Sequence, residues 1–180
     1  NLAWFLGVTT AFVTVAIPLQ LEREWITIGW ALEGLALLML WERLDHPGLK
    51  YVGLALLAAV SVRLVANEAV LTYHPRPAWR IVNWLLYTYL VPAAALLRAS
   101  IVLGPLEAPR LRDWERPVYS GERPLASMAT GLAGLVIVFA WMNIAIAEWF
   151  AVGPDLTLDF ERMPARDLTA SIAWALYALG

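Results

Sequence analysis

The chain has 180 residues, 61% of them hydrophobic and 16% charged, with a formal net charge of −2 and no cysteine. Soluble domains run nearer half apolar and a quarter charged, so this composition demands long buried runs. The charge balance gives no basic field for nucleic acid. The missing cysteines exclude disulfides, thiolate metal sites and cysteine nucleophiles.

A bilayer core of about 30 Å takes roughly 20 helical residues. Five runs approach that length in chain order: Leu2 to Leu19, Trp25 to Trp41, Leu49 to Val70, Ile81 to Leu103, and Ala126 to Phe150. A sixth begins near Leu168. Helices satisfy their own backbone groups in lipid, and no ten-residue segments alternate as barrel walls require. The expected fold is therefore all-α: a polytopic transmembrane helix bundle with five full spans plus one truncated, forming a single region over residues 1–180. Asn1 and Gly180 both fall inside apolar runs. The chain thus reads as an excerpt of a longer membrane protein, with the lipid bilayer and the remaining helices of that parent chain as its partners.

Trp25, Trp41, Tyr51, Trp79, Trp149 and Phe150 lie where helix ends should meet headgroups. Pro18 and Pro92 are expected to kink their runs. Gly7 and Ala11, Ala55 and Ala59, and Thr130 and Gly134 are small residues spaced by four, which would let helices approach closely. The second connection carries Arg43 and Lys50, and the fourth carries Arg110, Arg112, Arg116 and Arg123. This excess of positive charge places those two connections in the cytoplasm.

Polar residues inside the runs supply the candidate binding site: Glu33, Arg63, Asn67, Asn83, Tyr87 and Asn143. If Trp41 and Tyr51 mark one headgroup level, Glu33 and Arg63 differ in depth by four residues, about 6 Å. An arginine can span that, so a Glu33–Arg63 ion pair is expected. Arg63 and Asn67 share a helix face at spacing i, i+4, as do Asn83 and Tyr87. With Asn143, these groups fall to one side of Glu33, as the lining of a polar cavity open to one membrane face would. For Asn67 and Asn83 interhelical hydrogen bonding is the favoured reading over a cavity role, and Glu68 and Glu148 near helix ends read as interfacial.

Familiar catalytic patterns are absent. His46 and His74 occupy separate connections without a second ligand at metal spacing. There is no Gly-rich phosphate loop or G-x-S-x-G elbow. Asp155, Asp159 and Glu161 lack the EF-hand pattern and read as a solvated acidic loop. No metal and no cofactor is expected, and catalytic residues are unknown. The long connection from Gly104 to Leu125 reads as a headgroup-level or cytoplasmic loop.

Three stretches resemble one family. "AIPLQLEREWITIGWALEGLALLML" is similar to a repeated element of a widespread bacterial family of many-spanning membrane proteins, known as domain of unknown function twenty-three thirty-nine. "RLVANEAVLTYHPRPAWRIVNWLLYTYLVPAAALL" is similar through Arg63, Asn67, Tyr73, "NWLLY", Tyr89 and Pro92, and "ARDLTASIAWALYALG" is similar to a further span. The resemblance implies a longer parent in a bacterial inner membrane and supplies no catalytic residues. "MNIAIAEWFAVG" departs from it, with Ala147 and Glu148 where a basic residue is expected.

Three functions remain open on these residues. A transporter-like protein would bind an ion or small polar solute at the intramembrane polar site. A membrane-embedded envelope enzyme would use Glu33 as an acid–base residue. A structural or scaffolding membrane protein would use the same groups only as interhelical contacts.

Overall fold

The computed structural model describes residues 5, 8, 9, 12–14, 16, 24–66, 79, 80, 82–104, 111–122, 124–151 and 163–179. The elements are α1 (Glu24–Leu44), α2 (Pro47–Ala66), α3 (Trp84–Val102), the short α4 (Arg116–Tyr119), α5 (Leu125–Phe150) and α6 (Pro164–Leu179). The described positions before α1 are helical as well, and among the described residues there is no strand. Four helices are long and apolar enough to cross a membrane: Trp25–Leu44, Pro47–Ala66, Trp84–Val102 and Leu125–Phe150. They are compatible with an integral membrane protein. The run from Leu2 to Leu19, expected as a further span, lies largely outside the described residues.

Local chemistry sets the helix ends. Asp45 adopts φ 52°, and its N–H closes on the Trp41 carbonyl at 2.8 Å. Asp tolerates this left-handed conformation because its short polar side chain offsets the Cβ penalty. Pro47 then occupies the first position of α2, where a missing N–H costs nothing. The result is a tight antiparallel α1–α2 hairpin. Asn83 caps α3, its Oδ1 accepting from Leu86 N at 3.2 Å. That cap starts the helix at Trp84, so Asn83 precedes the helix and does not continue a Tyr87 face within it.

Helix α1 packs between α2 and α3, and α3 packs along α5. The hairpin register comes from two glycines. A Cβ on Gly34 would sit 2.9 Å from the Gly53 carbonyl oxygen, and one on Gly53 would sit 2.8 Å from that of Gly34. The two backbones are in mutual contact, which only small residues permit. On the α3–α5 side, a Cβ on Gly134 would meet Leu97 Cγ at 2.9 Å and the Ala93 oxygen at 3.1 Å. Of the expected small pairs, Thr130 and Gly134 lie beside this contact, whereas Ala55 and Ala59 are exposed. Pro92 is buried within α3 and cannot donate to the Thr88 carbonyl. Helix α6 lies against the outer side of α5 through Tyr177, whose hydroxyl donates to the Leu135 carbonyl at 2.7 Å.

The neighbours define two ends of the bundle. Trp25 at the start of α1 stacks on Tyr87 at the start of α3, with ring centroids 5.8 Å apart. At the opposite end, Ser127 at the start of α5 donates to the Ser100 carbonyl near the end of α3 at 2.7 Å. The α1–α2 turn and the strap carrying α4 occupy that second end together, consistent with the shared membrane side expected from their arginines and lysine.

Replacing Gly34 or Gly53 by valine should separate α1 from α2. Overpacking of this kind costs about 1–3 kcal/mol. Thermal unfolding of the detergent-solubilised protein should report a lowered midpoint for each, while Ala55→Val, on an exposed face, leaves it in place.

Candidate functional site

The expected site residues resolve into separate contacts. Arg63 donates from Nε to Thr27 Oγ1 at 3.1 Å. Glu33 instead accepts from Thr14 Oγ1 at 2.6 Å, and Trp30 Nε1 donates to the Thr14 carbonyl at 3.4 Å. Among the described residues no ion pair joins Glu33 to Arg63, which corrects the expected pairing. The register explains why. Gly34 faces Gly53, so Arg63, ten residues further along α2, is level with the first turn of α1. Glu33 is about 13 Å away along the axis. The depth estimate fails because Trp41 and Tyr51 do not share a level.

At the Trp25 end, Asn83 does two jobs. Besides its cap, its Nδ2 donates to Glu148 Oε2 at 3.0 Å and to the carbonyls of Trp79 and Arg80 at 3.3 and 3.2 Å. Interhelical hydrogen bonding, one of the two expected uses of Asn83, is thus present. Arg80 donates to the Trp149 carbonyl at 2.9 Å and lies 5.5 Å from that ring. Glu148, expected at the interface, is buried at 1% exposure. Asn143 donates to the Phe139 carbonyl at 2.7 Å and accepts from Trp174 Nε1 at 2.9 Å, joining α5 to α6. Asn67 lies outside the described residues. Thr27 and Trp25, two positions apart, point about 200° apart around α1. Arg63 and Tyr87 therefore engage different sides of that helix, and among the described residues the expected groups do not converge on one polar cavity.

The most fully built polar cluster is one that sequence reasoning missed. Lys50, in the first turn of α2, pairs with Glu115 of the strap, and both are only 1% exposed. Tyr51 donates its hydroxyl to Glu115 Oε1 at 2.6 Å, and the Arg112 backbone N–H donates to Oε2 at 2.8 Å. Three rings surround the ammonium: Tyr119 at 4.4 Å, Trp41 at 5.2 Å and Tyr51 at 5.2 Å. Aromatic faces attract a cation through their quadrupole, and more strongly once it is desolvated. Trp114 stacks on the outer side of Tyr51, with centroids 6.0 Å apart. Trp41, expected at headgroup level, is 2% exposed because it walls this cage.

Burial by itself would raise the Glu115 carboxyl pKa. The hydrogen bonds from Lys50, Tyr51 and the Arg112 N–H outweigh that and hold it down to about 2. Burial, with the Glu115 and Tyr51 charges nearby, pushes the Tyr119 phenol up. Glu115 is therefore a fixed anion matched to a fixed cation. This chemistry clamps the strap to the bundle, with both carboxylate oxygens of Glu115 taken up by donors of the chain. The signal lay in "HPGLKYVG" and "RDWERPVY", opposite charges flanked by aromatics in two connections assigned to one membrane side.

Among the described residues no cluster of three or more His, Asp or Glu could hold a metal ion. No family model, curated protein or solved structure matches the chain.

Removing one charge of the clamp should cost more than removing both. Lys50→Met strands a buried carboxylate, a loss of about 3–5 kcal/mol, whereas apolar replacement of both partners is often neutral or stabilising. Chemical denaturation of K50M against the K50M/E115L double variant measures the difference. Acid should act on the same group. Its folded pKa lies below the ordinary carboxylate value of 4.5, so its contribution is complete above that value and lost as pH falls toward about 2. Trp114 fluorescence, isolated by difference with Trp114→Phe, should change across that window in the wild type and not in K50M/E115L.

Proposed function

We propose that the protein is a multi-pass protein of a bacterial inner membrane, a relative of the many-spanning family its α1 and α3 motifs resemble. We further propose that it is transporter-like, with Glu33 as the group that binds an ion or small polar solute. The observation that carries this reading is the incomplete coordination of Glu33. It lies near the middle of a helix long enough to cross a membrane. One carboxylate oxygen accepts from Thr14, while Oε2 is buried with no hydrogen-bond partner among the described residues. An ionised group at the bilayer centre costs at least about 2.5–3.5 kcal/mol. With no ion pair to a basic side chain among the described residues, such a carboxylate has room for a cation or a hydrogen-bond donor.

The scaffolding reading is favoured by a different observation. Arg63, Asn83 and Asn143 each reach a neighbouring helix, to Thr27, Glu148 and Trp174. Those three residues therefore read as interhelical ties, and Glu33 alone carries the binding proposal.

Dicyclohexylcarbodiimide, which modifies protonated carboxyls in apolar surroundings, separates the readings. In the full chain reconstituted in lipid vesicles, labelling should fall on Glu33 and be suppressed by whichever alkali cation binds there. Glu33→Gln should abolish labelling while the helical circular dichroism persists. A Glu33 that is unreactive, or reactive regardless of cation, leaves the scaffolding function.

A further inference from the structure

A second feature lies on the far side of α1 from Thr14 and Glu33. Leu32 and Leu35 of α1, with Tyr87, Leu90, Val91 and Ala94 of α3, line an open groove of about 330 Å³ whose surface is apolar almost throughout. At one end of it lies Tyr87, whose ring stacks on Trp25. Deeper in, Ala94 and Ala95 keep its floor low. From Tyr87 to Ala95 the α3 backbone rises about 12 Å.

We propose that this groove seats one acyl chain of a membrane lipid. Its depth decides between occupants. A hydrocarbon core of about 30 Å gives each leaflet about 15 Å, which the groove nearly matches. A transmembrane helix of a second copy would need contact along a much longer stretch, and its diameter with side chains is about 10–12 Å. The polarity is equally selective: the lining offers next to no polar surface to pair a solute or peptide backbone, and an alkyl chain needs none. The Trp25–Tyr87 pair lies at the end of both helices, the level at which amphipathic rings meet headgroups. A lipid would thus have its glycerol beside the two rings and one tail lying between α1 and α3. The inference rests on the membrane placement proposed above and is independent of ion binding by Glu33.

Because the chain has no cysteine, a single one can be introduced for labelling. Ala94→Cys places a bimane fluorophore in the groove, and Val136→Cys places one on the exposed face of α5. In vesicles of dioleoylphosphatidylcholine doped with its chain-brominated analogue, both probes should be quenched. After extraction into dodecylmaltoside, quenching should persist at position 94 and vanish at position 136. Leu90→Trp, with a larger side chain in the groove, should remove the retained quenching at 94. Equal loss at both positions on extraction would overturn the seat and leave bulk lipid contact only. Disulfide cross-linking of Ala94→Cys between two chains, without retained quenching, would give the groove to a second copy. Two probes dark to quencher even in vesicles would remove the membrane placement itself.

Discussion

The contact between the Gly34 and Gly53 backbones sets the alignment on which the placement of the polar groups depends. Each glycine lies where the other's carbonyl leaves no room for a Cβ, so α1 and α2 cannot slide past one another without separating. That register brings Trp41 over Lys50 at one end of the hairpin and Thr27 to Arg63 at the other. It also holds Glu33 away from Arg63. A shift of four or five residues would bring those two within reach, but it would part Gly34 from Gly53 and bring larger side chains into the backbone contact. Dispersion and close approach, not charge, therefore select the alignment, as expected where apolar surroundings give helices no hydrophobic reason to associate.

Once the register is set, the polar groups other than Glu33 and Asn143 sort toward the two ends. At the Trp25 end, Asn83 ties the start of α3 to the end of α5 through Glu148, with Arg80 against Trp149 beside it. At the Trp41 end, Lys50 and Glu115 join the hairpin to the strap. These are the places where three helices and a connection must be held together, and directional bonds do what apolar packing cannot. Between the two ends the α1–α2 and α3–α5 interfaces are mostly aliphatic and small residues. A buried ion pair is a weak source of net stability against an apolar equivalent. The clamp is better understood as selecting where residues 111–119 sit than as strengthening the bundle.

Much of the helical architecture is legible from run length alone, because an apolar stretch of about 20 residues has few alternatives. The start of α3 is less so. Asn83 resembles a buried face residue in the sequence, whereas it lies one residue ahead of the helix as its cap. Side-chain partnership is far less legible. Depth can be inferred only by treating Trp41 and Tyr51 as markers of a single headgroup level, yet Trp41 faces inward onto a lysine. An aromatic at a helix end can serve either as interface anchor or as cage wall, and local sequence does not separate the two. Glu115 is harder still, since its partner lies 65 residues earlier in the chain and its own surroundings look like an ordinary polar loop.

Glu115 and Glu33 are two carboxylates in contrasting surroundings. Glu115 receives Lys50, the Tyr51 hydroxyl and a backbone N–H, so both of its oxygens are matched by donors that packing holds in place. A carboxylate so provided for has little reason to exchange its partners, and its depressed pKa is the thermodynamic expression of that. Glu33 has one hydroxyl and a second oxygen buried without a donor among the described residues. A group meant only for structure gains from complete satisfaction, because each unmet acceptor costs about 1–3 kcal/mol and more when charged. A binding group must give up part of that satisfaction to leave room for what it binds. On that criterion the proposed binding is assigned to the midspan carboxylate and not to the more elaborate clamp at the bundle end.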